Sequence, residues 1–176
     1  GLRSIGFEFW MVGFTPFFIG YVVGAGTLFD FDLLYGFMVI AFLTSSTFLL
    51  NHICDLEIDR KNPRKEFSLL VRRVITIRQA WSIFWVLQIS CLIMSLRYNM
   101  EFIYCILGLT FISFVYNLEP FRLKTKPGID MICNGLSLGI LIPLAAWSVS
   151  QPILDFPRLY FFAIFCYLMA LYCPTM

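Results

Sequence analysis

Charge is what this sequence has least of. Thirteen basic and eleven acidic residues are spread over 176 positions, against about a quarter of all residues in ordinary soluble domains, too few to build a water-facing surface. Histidine occurs once, at position 52, and the six cysteines (54, 91, 105, 133, 166 and 173) fall mostly inside apolar stretches. Without metal-ligand spacing they give no thiolate centre and read as small apolar fillers. No short apolar segment followed by a small-residue cleavage site opens the chain, so its first apolar stretch is a span rather than a leader. No formal charge stands in the middle of an apolar stretch, where transporters place ion and substrate pathways.

What is present is apolar: 60% of residues are hydrophobic, the mean hydropathy is +0.82, and there are 20 Phe, 8 Tyr and 4 Trp. A membrane-crossing helix needs about 20 largely apolar residues. Uncharged stretches of near that length recur at residues 9–29, 33–54, 79–96, 102–118, 131–154 and 159–176. The fold predicted is an all-α, multi-span transmembrane helical bundle, one domain over residues 1–176. Lys and Arg in short loops mark the cytoplasmic side. Arg3, the seven bases from Arg60 to Arg78, and Arg122, Lys124 and Lys126 all fall on one side of the zigzag, with only Arg97 and Arg158 opposite. Both ends of the chain are therefore expected on the cytoplasmic side of a cell (inner) or organelle membrane.

The second span closes on "LLNHICDLEID", where carboxylates appear abruptly. At about 100° per residue, Asn51, Asp55 and Asp59 fall within about 80° of arc and about 12 Å of helix length, whereas Glu57 points elsewhere. Acids beside hydrocarbon need a neutralising partner. A hard cation such as Mg2+ suits oxygen ligands and bridges one or two carboxylates to phosphate oxygens, so a phosphorylated, anionic ligand is expected at this interface. The facing loop, "YNLEPFRLKTKPG", supplies Arg122, Lys124 and Lys126. Arg offers a planar fork and Lys a point charge to phosphate. Each such residue alone also suits a plain role as helix cap, snorkelling anchor or topology signal.

At these residues the sequence resembles the UbiA superfamily of intramembrane prenyltransferases, as the first six of nine expected helices. The resemblance implies that Asn51, Asp55 and Asp59, in "NHICDLEID", are the catalytic residues and hold Mg2+ against an isoprenoid diphosphate donor. It implies diphosphate-side roles for Tyr116, Arg122 and Lys124. The family usually has Asp or Gln where His52 stands, and a basic residue and Pro before a Leu where Ser68, Leu69 and Leu70 stand; Lys65 and Arg72 are the neighbouring candidates for that phosphate contact. Its second Asp-rich motif follows the sixth helix, and no second Asp pair spaced by four occurs here, so the resemblance implies a portion of a longer enzyme. The implied reaction moves a prenyl group to a hydrophobic acceptor (a lipid, a quinone precursor or a carotenoid), with membrane lipids as surroundings and no nucleic acid as partner.

Two rival classes were weighed against this reading. CDP-alcohol phosphotransferases start a longer motif with Asp-Gly and Ala-Arg, a run missing here. A non-enzymatic transporter or ion-binding membrane protein would carry charge mid-span and inverted repeats. Gly20 with Gly24 and Gly135 with Gly139 are small pairs suited to close helix approach, and Pro16 and Pro143 are expected to kink their spans.

Overall fold

The computed structural model describes residues 7–66, 68–157 and 159–160. Among these residues it is entirely helical. The main elements are α1 (Phe7–Ala25), α2 (Phe31–Cys54), the short α3 (Leu56–Asp59), α4 (Ile77–Ser95), α5 (Met100–Asn117), α6 (Ile129–Leu136) and α7 (Ile142–Ser148), the last two joined by a wide π turn at Ser137–Leu141. Among the described residues four helices are long and apolar enough to cross a membrane: α2, α4, α5 and the compound Ile129–Ser148. The predicted span at 159–176 lies outside the described residues apart from its first two.

Helix ends follow from local chemistry. The first span was predicted to run to residue 29, but α1 stops at Ala25 because Gly26 takes a left-handed φ of 69°, the usual way to end a helix. Asp30 then caps α2 by accepting the Leu33 N–H at 2.8 Å. A reciprocal Thr76–Gln79 capping box starts α4, and Asn99 caps α5. Inside the fifth span, Pro143 offers no N–H to the preceding turn. The chain widens there, and the Ile142 N–H reaches back five residues to the Ser137 carbonyl. The span ends at Ser148 rather than residue 154, and the Trp147 indole N–H closes onto the Pro152 carbonyl at 2.9 Å.

The core joins α1, α2, α4, α5 and α7 through Phe17, Ile40, Leu43, Cys91, Phe102, Ile106 and Ala145. Helix association in a membrane relies on close packing and internal polar bonds, since lipid competes for apolar contact. Both devices are present. Gly20 lies so near α7 that a methyl group on it would sit 2.4 Å from the Pro143 carbonyl oxygen, and one on Gly24 would meet Trp147 at 3.2 Å. Buried Gln88 on α4 accepts from the Ser46 hydroxyl of α2 at 2.9 Å and donates to the Thr110 hydroxyl of α5 at 2.8 Å, tying three helices together. Beyond α3 the basic loop is pinned by a small second core of Leu56, Leu70 and Ala80. Leu70, at the site of the family departure, is therefore spent on packing.

Candidate functional site

The two polar segments singled out in the sequence meet at the basic end of the bundle. The last turn of α2 presents Asn51, and Asp55 follows it directly, its N–H still bonded to the Asn51 carbonyl at 2.9 Å. Opposite, α5 ends at Asn117 and the chain folds back through a cis Glu119–Pro120 peptide and Arg122, whose φ of 38° is left-handed. For a residue with a β-carbon that backbone costs about 1–2 kcal/mol. It is held in place by what the side chain does: Arg122 Nη2 donates to Asp55 Oδ1 at 2.8 Å.

Lys124 completes the cluster. Its ammonium donates to Asp55 Oδ2 at 2.7 Å, to Asn51 Oδ1 at 2.7 Å and to Asn117 Oδ1 at 3.2 Å, so each of its three hydrogens has an acceptor. The Asn117 amide is oriented by its own N–H, given to the Ser113 carbonyl at 3.0 Å. These groups are largely withdrawn from solvent: the side chains of Lys124 and Asp55 are 10% and 19% exposed. Charges so placed are stable only when paired and hydrogen-bonded.

Asp55 faces two cations, Arg122 and Lys124, and Glu119 reaches the same guanidinium at 3.6 Å from an exposed position, so two acids stand against two bases. Among the described residues the buried Arg122 Nε–H has no hydrogen-bond acceptor, a donor that a phosphate oxygen would suit.

Asp59 takes a different neighbour. Its carboxylate lies 3.5 Å from His52 Nδ1. At about 100° per residue Asp59 sits about 80° around the helix from Asn51 but only about 20° from His52, which accounts for the choice. Glu57 pairs outward with Arg60 at 2.8 Å. Tyr116 directly precedes Asn117 on α5 and gives its hydroxyl hydrogen to Asp130 Oδ1 at 2.6 Å, an acid also bound by the Asn134 amide at 3.0 Å. Among the described residues no hydrogen bond or ion pair ties Lys65 or Arg72 to the cluster; Lys65 is half-buried and Arg72 exposed.

Asn117, Asp130 and Asn134 were not singled out by sequence reasoning. Neutral amides at helix ends leave no charge pattern, although Asn117 directly follows Tyr116 and an amide at the end of an apolar span is itself a usable signal.

The donor set fits Mg2+. Asn51 and Asp55 already direct oxygen atoms at a single cationic centre, the Lys124 nitrogen, and oxygen is the ligand type this metal takes. Among the described residues no three Asp, Glu, His or Cys side chains converge tightly enough to hold a metal by themselves. A dedicated all-protein cage is not what Mg2+ usually has; one or two carboxylates plus phosphate and water suffice.

A bundle of apolar helices long enough to cross a membrane, with a polar cluster at one end, defines an integral membrane protein. Residues 13–174 match the UbiA prenyltransferase family, and the chain belongs to that family. It is similar to solved structures of a UbiA homologue from Archaeoglobus fulgidus: bound to DMAPP and Mg2+ (25% identity, TM-score 0.87, covering 99% of this chain and 62% of that one) and bound to GPP and Mg2+ (26%, 0.86, 99% and 61%). The apo structure of a homologue from Aeropyrum pernix K1 shares the fold at 20% identity (TM-score 0.68, 92% and 60%). The chain thus spans about three fifths of the length of these proteins. No curated protein sequence matches it.

Proposed function

We propose that the full-length protein transfers a prenyl group from an isoprenoid diphosphate to a hydrophobic acceptor inside the membrane, with Mg2+ as cofactor. The observation that carries this reading is the cluster itself: Asp55 held between Arg122 and Lys124, with the buried Arg122 Nε–H lacking an acceptor among the described residues. Family membership and the DMAPP, GPP and Mg2+ found with the Archaeoglobus homologue support it. Asn51, Asp55 and Asp59 are the residues proposed to hold the metal. Bound there, Mg2+ supplies Lewis-acid stabilisation of the departing diphosphate.

The chain's own residues do the rest. Arg122 offers phosphate a fork of donors, including the spare Nε–H, and Lys124 a mobile point charge. Both are aimed where negative charge grows as the allylic C–O bond breaks. Tyr116 is held by Asp130 at the edge of this region. Lys65 and Arg72 belong to the outer shell of positive charge that draws in an anionic donor. An allylic cation survives only where water is excluded, and the apolar bundle beneath the cluster provides that. The excess of basic residues at this end supports a cytoplasmic site, and a lipid, quinone precursor or carotenoid suits the apolar interior as acceptor.

The test is diphosphate release by the full-length protein given a prenyl diphosphate and a lipid-soluble acceptor. Removing Mg2+ with chelator is expected to abolish it reversibly. Asp55→Ala is expected to slow it about 10²–10³-fold, the usual loss when one electrostatic contact to the transition state is deleted. Unchanged turnover in both Asp55→Ala and Asp59→Ala would remove these residues from the mechanism.

A further inference from the structure

The geometry of the cluster and the proposed function make competing demands on the same atoms. The reading above gives Asn51 and Asp55 to a metal ion and Lys124 to phosphate, yet here Lys124 Nζ stands 2.7 Å from both Asn51 Oδ1 and Asp55 Oδ2. A Mg2+ ion binds its oxygens at about 2.0–2.1 Å, so an ion shared by those two atoms would fall almost on the ammonium. The two cations are alternatives.

Resting on that reading, we propose that Lys124 is a resident counter-ion, exchanged for the metal when metal and diphosphate enter together. In this arrangement its ammonium holds the Asn51 and Asp55 oxygens converged and shares with Arg122 the neutralisation of a largely buried carboxylate. Its third partner, Asn117, lies on the rigid end of α5 and not on the acidic helix. That amide can keep its hold while the other two bonds are given up, so Lys124 has an anchor on the side away from α2. Diphosphate repays the exchange by giving the ammonium new oxygen acceptors. Metal without diphosphate has to evict Lys124 with nothing to receive it. Arg122 keeps the same carboxylate from its other oxygen and does not block the Asn51 side.

The consequence is a metal site that fills poorly with metal alone and is opened by removing one lysine. The experiment is a titration of the full-length protein with Mn2+ alone, free Mn2+ being read by electron paramagnetic resonance, which needs no turnover. Lys124→Met is expected to bind Mn2+ about tenfold tighter than wild type, because the competitor is gone. Lys126→Met takes away an exposed charge of the same loop without touching the cluster and is expected to change affinity less than about twofold. Unchanged or weaker binding in Lys124→Met overturns the exchange, as does an equal gain in Lys126→Met, which would make the effect general charge repulsion. A wild-type protein that releases diphosphate with Mg2+ while Lys124→Met binds Mn2+ no tighter overturns this inference and leaves the prenyltransferase reading standing. A wild-type protein without Mg2+-dependent release overturns that reading, and the Mn2+ titration still judges the lysine.

Discussion

The two ends of the bundle carry the same kind of bond and use it differently. At the end opposite the cluster, Arg97 reaches from the α4–α5 turn to Asp32 of α2 at 2.8 Å, the same length as Arg122 to Asp55. There the guanidinium and the carboxylate are 47% and 43% exposed, matched one to one, and the Arg97 group also lies over the Phe31 and Tyr35 rings. At the basic end the acid is largely buried, doubly paired and backed by two amides. Exposed pairs contribute little to stability, so the first is a latch between the α4–α5 turn and the start of α2. A buried charged cluster is a costly way to join helices, which agrees with the phosphate-binding role proposed for it.

The contrast is broken most forcefully by truncating the two arginines in parallel. Arg122→Ala is expected to raise the KM for prenyl diphosphate about tenfold or more, the loss of a charge-assisted contact to phosphate, while Arg97→Ala leaves steady-state kinetics unchanged. Equal effects would erase the distinction between site and latch. Next in size is a change that involves no charge. Gly20→Ala forces a methyl group against the Pro143 carbonyl and is expected to destabilise the bundle by about 1–3 kcal/mol, read as a lowered thermal midpoint in detergent. Gln88→Leu removes the Ser46–Gln88–Thr110 tie, expected at about 1 kcal/mol, since interhelical hydrogen bonds in membranes are modest. Metal affinity unchanged by either variant would confirm that the cluster is local.

The smallest effect concerns pH. The Tyr21 hydroxyl, at 2.6 Å, and the Leu33 N–H hold the Asp30 carboxyl below the usual carboxylate range. A group whose pKa is lowered on folding contributes stability above its unfolded value and loses it as pH falls through the folded one. The α1–α2 turn should therefore be insensitive to pH near neutrality and loosen only in acid. Asp30→Asn should flatten that acid limb in a thermal-shift series.

The halves of the molecule were not equally legible in the sequence. Asn51 and Asp55 could be paired in advance because four residues is close to one helical turn, and the basic loop could be set against them because acid near hydrocarbon needs a counter-charge. Asp59 shows where such counting stops. Three positions spaced by four drift about 40° per step, and by the third position His52 is the nearer neighbour. Asn117, Asn134 and Gln88 escaped because an uncharged amide inside an apolar run disturbs neither hydropathy nor charge balance. Their roles emerge only once α2, α4, α5 and α6 are side by side. Pro143 announced a distortion but not its form, a π turn rather than a kink alone.

The most direct test of the site is anomalous diffraction from crystals of the full-length protein grown with Mn2+ and a prenyl diphosphate. The account predicts a manganese peak between the Asn51 and Asp55 side-chain oxygens, with the Lys124 ammonium moved onto phosphate. A peak elsewhere, with Lys124 still bonded to Asp55, would contradict it.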